Sequence, residues 1–240
     1  MKTTSNKSHI YIGREAGKEI HETIRGAKKS VKIVSPYISA DYLKDLVNLH
    51  KKGVEITIIT CDKISDSSYS EFRVSDLIRK EKIINNDAIK TKKSVLSYAI
   101  LAFGVFLASL LFYLLSLSQL SVIFAGFLLV IGVIFLISYF SISTTSYNYE
   151  SIFRIKVFDS TSGKRPGSTE LIHSKIFIID EDVAFLGSVN FTYSGFKTHY
   201  ETTIKVQDAR AVKDISEEVE MLYNSKELKA KSVEAWAGMF

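Results

Sequence analysis

Apolar residues are distributed along this chain in three ways: at helical spacing, in short strand-like runs, and in two long uninterrupted stretches. From Arg14 to Ser30, Ala16, Ile20, Ile24 and Ala27 recur at helical spacing among charges, which predicts an amphipathic helix with a solvated basic face. Val31–Val34 follows as a strand, closed by Ser35-Pro36 and the loop Tyr37-Ile38-Ser39. Between Asp41 and Lys52, Leu43, Leu46, Val47 and His50 share one side of a second helix, which Gly53 is placed to end. Val54–Thr60, with Val54, Ile56, Ile58 and Ile59, reads as a second strand. Strand, helix and strand with short connections predict a parallel pair joined by a right-handed crossover. The stretch from Cys61 to Lys93 turns polar, with Phe72, Leu77, Ile78 and Ile84 spaced for a further helix.

The pattern then changes abruptly. Val95–Leu115 and Leu120–Ile142 are apolar on every face, and as helices each is about 30 Å or longer, the thickness of a hydrocarbon core. Leu117-Ser118-Gln119 leaves room only for a tight reversal, so the two form a transmembrane hairpin. Ala102, Gly104, Ala108, Ser121, Ala125 and Gly126 are small enough for close helix contact. Lys90, Lys92 and Lys93 precede the first run, and Arg154 and Lys156 follow the second; the positive-inside rule therefore places both ends in the cytoplasm. The expected location is the cell membrane, crossed twice, with the remaining domain and both termini cytoplasmic.

Beyond Ser141–Glu150, rich in Ser, Thr and Tyr, Phe153–Phe158 is another strand. Thr161–Gly167 is a basic turn carrying Lys164 and Arg165, expected to meet substrate phosphate. Leu171–Ile179 alternates with β-branched and aromatic residues and predicts a strand, followed by a turn at Glu181-Asp182 and a short strand, Val183–Leu186. Phe191–His199 reads as a loop containing Gly195 and Lys197, the latter a further expected phosphate contact. Tyr200–Val206 is a strand, and Asp208 caps a last helix with Val212, Ile215, Val219 and Leu222 as its core stripe. The tail after Ser225 has no assigned pattern.

Composition changes this picture in two respects. The formal charge of +5 falls outside the uncharged interval Ser94–Tyr149 and favours anionic partners, either phosphodiester backbones or acidic lipid headgroups. Cys61 is the only cysteine, which excludes an intrachain disulfide and a Cys-based zinc site and fits a reducing compartment. The polar stretch Met1–Ile20 does not read as a cleaved secretory signal.

The chemistry is concentrated between His173 and Asn190. His173 and Lys175 point to one face of their predicted strand, about 7 Å apart along it. An imidazole beside a fixed ammonium suits attack on an anionic phosphorus centre, because the ring is a nucleophile near neutral pH and the lysine holds a non-bridging oxygen. The following strand returns Gly187-Ser188 to the same mouth, where Ser188 and Asn190 can donate to that phosphate.

The full string His-x-Lys-x4-Asp-x6-Gly-Ser-x-Asn, running from His173 through Lys175, Asp180, Gly187 and Ser188 to Asn190, is the pattern that defines the phospholipase D superfamily. The chain resembles its small bacterial single-motif nucleases over roughly residues 14–60 and 152–224. The resemblance implies an α/β fold, a mixed β-sheet flanked by helices, here interrupted by the two-helix transmembrane hairpin. Residues 1–93 and 143–225 are then the two parts of one phospholipase D-like domain, with the hairpin at 94–142 and a tail at 226–240. The superfamily mechanism uses two motifs, one histidine forming a phosphohistidine and the other protonating the leaving oxygen. Only one complete motif is present, since Thr57 stands where an aspartate would follow His50-Lys51-Lys52. The resemblance therefore implies a homodimer, each copy supplying His173, Lys175, Ser188 and Asn190. It also implies that Glu201 orients the nucleophilic histidine.

Strand parity sets Asp180 on the opposite face from His173, so a structural part there competes with a chemical one. His199 shares the face of Glu201 and invites a metal reading, but the family's chemistry is metal-independent and implies no cofactor. Three functions remain open at this point: a membrane-anchored nuclease, a phospholipid phosphodiesterase of the cardiolipin-acting kind, and an idle membrane module that binds phosphate compounds.

Overall fold

The computed structural model describes residues 2–5, 8–62, 74–116, 119–160 and 172–239. In chain order its strands are β1 (Lys2–Ser5), β2 (Ser8–Gly13), β3 (Ser30–Val34), β4 (Glu55–Cys61), β5 (Ile78–Ile84), β6 (Thr145–Ser151), β7 (Arg154–Phe158), β8 (Ile176–Ile179), β9 (Val183–Gly187), β10 (Glu201–Val206) and β11 (Ala230–Lys231). Its helices are α1 (Lys18–Arg25), α2 (Ala40–Lys51), α3 (Asn86–Ser116), α4 (Gln119–Ser141), α5 (Tyr193–Lys197), α6 (Ala209–Asn224) and α7 (Val233–Ala237). They fall into two compact units: Met1–Arg79 with Tyr149–Phe240, and Lys80–Asn148.

The first unit is built on a nine-stranded mixed sheet in the order β1-β2-β10-β9-β8-β3-β4-β7-β11. β3, β4 and β7 are mutually parallel and the other neighbours antiparallel. Period-two alternation sends Val31 and Ile33 of β3 to one face, where Ile20 and Ile24 of α1 and Leu43 and Leu46 of α2 cover them. Val34 faces the other way, into a cluster with Ile59, Phe158, Ile178 and the α6 residues Val212 and Val219. Helices on both faces explain why β3 and β4 are nearly continuous apolar runs. Lys32, on the α6 side, is accommodated by a polar set: its Nζ lies 2.9 Å from Glu181, 3.1 Å from Glu220 and 2.7 Å from Ser216 Oγ.

Several expectations are corrected. No helix forms within the described part of Cys61–Lys93 before Asn86; Leu77 ends a short 3-10 turn, and Ile78–Ile84 is β5, paired with β6 in a separate two-stranded ribbon. Lys80 and Lys82 alternate with Arg79 and Glu81 there, a period of two that the scattered isoleucines disguised. Phe72 lies outside the described residues. The helix expected over Arg14–Ser30 is confined to Lys18–Arg25, and Ser8–Gly13, read only as a polar N-terminus, is a sheet strand. The loop expected at Phe191–His199 contains α5, started by the Thr192 hydroxyl accepting from the Gly195 amide at 3.1 Å. The unassigned tail adds β11 to the sheet edge beside β7 and sinks Trp236 of α7 into the core at 1% exposure.

In the second unit α3 and α4 are the two helices long and apolar enough to cross a membrane, over Asn86–Leu115 and Leu120–Ser141. Their apolar side chains are mostly exposed, unlike those of a core helix.

Trp236→Ala should destabilise the first unit by about 3–5 kcal/mol, the range for emptying a buried aromatic site. A lowered urea midpoint in detergent checks this; an unchanged midpoint would mean that the tail is not docked.

Candidate active site

The carboxyl ends of β3, β4 and β7, the start of β8, the end of β9 and the start of β10 share one edge of the sheet, as the registers Val34↔Ile176, Ile176↔Leu186 and Thr203↔Gly187 require. In open α/β sheets this is the edge where ligands bind. His173 and Lys175 sit just before β8, in an extended segment that does not join the sheet ladder until Ile176; the strand is therefore shorter than the Leu171–Ile179 expected. Freed from strand geometry, their side chains meet. Lys175 Nζ is 3.1 Å from His173 Nδ1, 3.2 Å from Nε2 and 2.7 Å from the His173 carbonyl oxygen. Near-equal distances to both ring nitrogens mean that the ammonium faces the ring rather than one lone pair.

The imidazole is exposed, whereas Lys175 is only 6% exposed. Burial pulls the lysine below its ordinary pKa, and the negative charge of Glu201 opposes this only in part. Among the described residues the ammonium hydrogen-bonds to His173 alone, so a buried cation stands at the sheet edge without an ion pair.

Ser188 follows Gly187, where any Cβ would collide with the Thr202 carbonyl of β10. This close approach lets the Ser188 amide donate to Thr202 O at 2.9 Å, while Ser188 Oγ accepts from the Thr202 amide at 3.0 Å. The same hydroxyl donates to Glu201 Oε2. Glu201 is buried to 8% exposure, and its other oxygen lies 3.6 Å from Nδ1 of the exposed His199. Among the described residues no hydrogen bond joins Glu201 to His173, so within one chain it orients the serine rather than the imidazole expected. Asn190 Oδ1 is buried without a hydrogen-bond partner among the described residues. A buried acceptor left unpaired costs about 1–3 kcal/mol, which the fold tolerates at this edge.

Sequence reasoning missed what holds Asn190 in place. Ser35, fully buried at the end of β3, accepts from the Phe191 amide at 3.0 Å and donates to the Tyr37 carbonyl at 2.7 Å. The Ser39 amide donates to Phe191 O at 3.0 Å. A serine placed directly before Pro36 at the end of an apolar strand was the available signal, since such a hydroxyl must find a partner once buried.

Asp180 is at the far end of β8, about 16 Å from Lys175 at strand rise, and thus away from the imidazole. It adopts a left-handed conformation (φ 57°), as does Glu181 (φ 59°), in the turn to β9. Its carboxylate accepts from the amides of Lys28 at 3.0 Å, Lys29 at 2.6 Å and Ser30 at 3.0 Å, fastening the α1–β3 connection. Burial pushes this carboxyl up, but those amides and the Lys29 charge outweigh it and hold it below the ordinary range. Lys197 is exposed in the last turn of α5, and Lys164 and Arg165 lie outside the described residues. Among the described residues no group of three or more His, Cys, Asp and Glu side chains is arranged to hold a metal ion.

A family-model match assigns this mixed sheet, with its imidazole–ammonium pair at the carboxyl edge, to the phospholipase D superfamily and its phosphodiesterase-like fold. The chain belongs to the family described as cardiolipin synthase, PLD-like domain, whose model matches residues 20–98 and 139–223; the described residues of the interval between belong to α3 and α4. Comparison with curated proteins gives no match. Among solved structures, the chain is similar to NucT from Helicobacter pylori (15% identity, TM-score 0.47, 94% of this chain and 99% of that one). It is also similar to Nuc, a phospholipase D family member from Salmonella typhimurium (13%, TM-score 0.45, 94% and 99%). A third is phosphatidylserine synthase from Haemophilus influenzae (12%, TM-score 0.43, 95% and 41%).

Asp180→Ala removes the acceptor for three amides and leaves alanine in a left-handed turn, and should cost about 2–4 kcal/mol. Asp180→Asn, which tolerates that turn and keeps one acceptor oxygen, should cost less. Because the native carboxyl titrates below its unfolded value of about 3.9, its contribution is present above that pH and fades as pH falls through the lower native value. Urea melts of the wild type and Asp180→Asn from pH 7 to pH 2 should therefore converge on the acid side.

Proposed function

We propose that the chain is a membrane-anchored phosphodiesterase that works through a phosphohistidine at His173 and has nucleic acid as its substrate. The observation that carries this reading is the buried Lys175 ammonium, unpaired except for its contact with an exposed imidazole. Burying a cation without a counter-charge is costly; a phosphodiester supplies the missing charge at the place where His173 can attack. The Asn190 carboxamide can present its Nδ2 donors to the same oxygens, whereas the Ser188 proton is already given to Glu201. Glu201 holds the serine rotamer.

In the first step an imidazole nitrogen of His173 bonds to phosphorus and the bond to the leaving oxygen breaks. The proton that oxygen needs comes from His173 of a second copy, in a homodimer with the site between the copies. Water then attacks the phosphohistidine and gives its proton to that second, now neutral imidazole; the phosphorus–nitrogen bond breaks and both rings are restored. Lys175 offsets the charge on the non-bridging oxygens throughout. The chemistry calls on no metal ion or cofactor.

Nucleic acid is favoured by aromatic groups beside each arm of the site. Tyr37 follows Ser35, Tyr193 lies just past Asn190, and Tyr200 precedes Glu201, at 36%, 55% and 74% exposure; each offers a face on which a base can stack. The family's description favours a second reading, a cardiolipin-type phospholipid phosphodiesterase. The two apolar helices support the anchor in either case.

Purified protein in detergent with EDTA, offered DNA, RNA, cardiolipin and a chromogenic phosphodiester, separates these readings. DNA or RNA cleavage is expected, lowered on the order of 10⁴-fold by His173→Ala. Lipid turnover alone would transfer the reading to the phospholipid enzyme, and a stable monomer with full activity would overturn the shared site. Vanadate binding, read by thermal shift, should weaken on the alkaline side before the ordinary lysine value of about 10.4 and disappear in Lys175→Met.

A further inference from the structure

We infer that the β5–β6 ribbon and the lysine-rich first turns of α3 form a docking surface for an anionic phospholipid leaflet. The inference rests on the membrane reading of α3 and α4 and names the lipid chemistry that their flanking segment selects.

An isolated two-stranded ribbon is marginal in water. This one is left with Ile83, Ile84 and Tyr147 at 48%, 57% and 47% exposure. It runs directly into the apolar helices at both strands. The Asn85 amide donates to Thr144 O at 3.0 Å, closing the ribbon where the helices begin, and Asn85 Oδ1 accepts from the Ala88 amide at 2.9 Å to start α3. Lys92 Nζ donates to Ile142 O at 3.2 Å beyond the end of α4 and lies 4.7 Å from the Tyr139 ring centroid. This ties the two chain crossings together at the hydrocarbon boundary. Lys80 sits over Tyr147 at 4.1 Å.

Charge selects the occupant. In the ribbon and the first turns of α3, Arg79, Lys80, Lys82, Lys90, Lys92 and Lys93 outnumber the acidic Glu81, Asp87 and Glu150 by six to three. Asp87 lies 3.7 Å from Lys90, and Lys82 and Lys93 have no acidic partner among the described residues. Lysines, tyrosines and a few exposed aliphatic residues make up the chemistry of a membrane interface: the stems and isoleucines enter the headgroup layer while the ammonium groups meet phosphate. Each lysine near an anionic surface strengthens binding about five-fold. A second copy pairing edge to edge would instead set Lys80 and Lys82 against their own like charges.

The test titrates the full chain in detergent with phosphatidylglycerol or phosphatidylcholine and follows thermal unfolding. The midpoint should rise with phosphatidylglycerol at least several-fold more than with phosphatidylcholine. The difference should vanish at about 0.5 M salt and in the variant Lys80→Gln/Lys82→Gln/Lys93→Gln, whose hydrolytic activity stays that of the wild type. Equal responses to the two lipids, or a full phosphatidylglycerol response in the variant, overturn the inference. So does a midpoint that follows protein concentration instead of lipid, which would assign the ribbon to a second copy. Alkaline carbonate extraction of the wild type runs alongside: release from membranes overturns the membrane reading itself, whereas retention with equal lipid responses overturns only the leaflet inference.

Discussion

The structure depends on strand pairing across an interruption. β3 and β4 come from one side of the long apolar insertion and β7, β8 and β9 from the other, and they meet through the parallel register Thr57↔Arg154 to Cys61↔Phe158 and the antiparallel register Val31↔Ile179 to Val34↔Ile176. Backbone groups of a fully buried strand must be paired, and β4, with all but its first residue buried, has its neighbours in both parts of the chain. The site inherits this dependence. Ser35 at the end of β3 anchors the Asn190–Phe191 segment from the other part, and Asp180 from that part fastens the loop that begins β3.

Around that frame the polar side chains divide between those whose hydrogen bonds are met by the fold and those left with capacity to spare. Asp180 is fully engaged by backbone amides, and Glu201 is engaged by a serine. Lys175 is buried beside an imidazole and Asn190 has an unmet acceptor. The imbalance has a direction: positive charge and open hydrogen-bonding capacity converge on the sheet edge that the strand order opens to ligands.

Much of this was legible in the chain itself. Where one periodicity ran unbroken, as in Val31–Val34, Val54–Thr60, Val183–Leu186 and the stripe from Val212 to Leu222, the elements follow within a residue or two. The two apolar runs were equally plain. Failures came where the deciding partner lies far away in sequence. β5 is a strand because β6 pairs with it across the hairpin, and Trp236 is core because β11 finds the edge of β7. At the site, residue types pointed to the region, but side-chain geometry did not follow from strand parity. His173 and Lys175 leave the ladder and touch, and Glu201 turns to Ser188 because the bare Gly187 lets β10 close in on the following residue.

The interrupted sheet also has a consequence for how the protein is made. β4 emerges from the ribosome before α3 and α4, and its parallel neighbour β7 emerges only after both. For on the order of 10 s at ordinary elongation rates, a strand as apolar as Glu55–Cys61 has one side exposed while the nascent chain is occupied with its most insoluble portion. The mature molecule hides that edge completely, so its hazard of mispairing belongs to translation, and any slowing of hairpin synthesis lengthens the exposure.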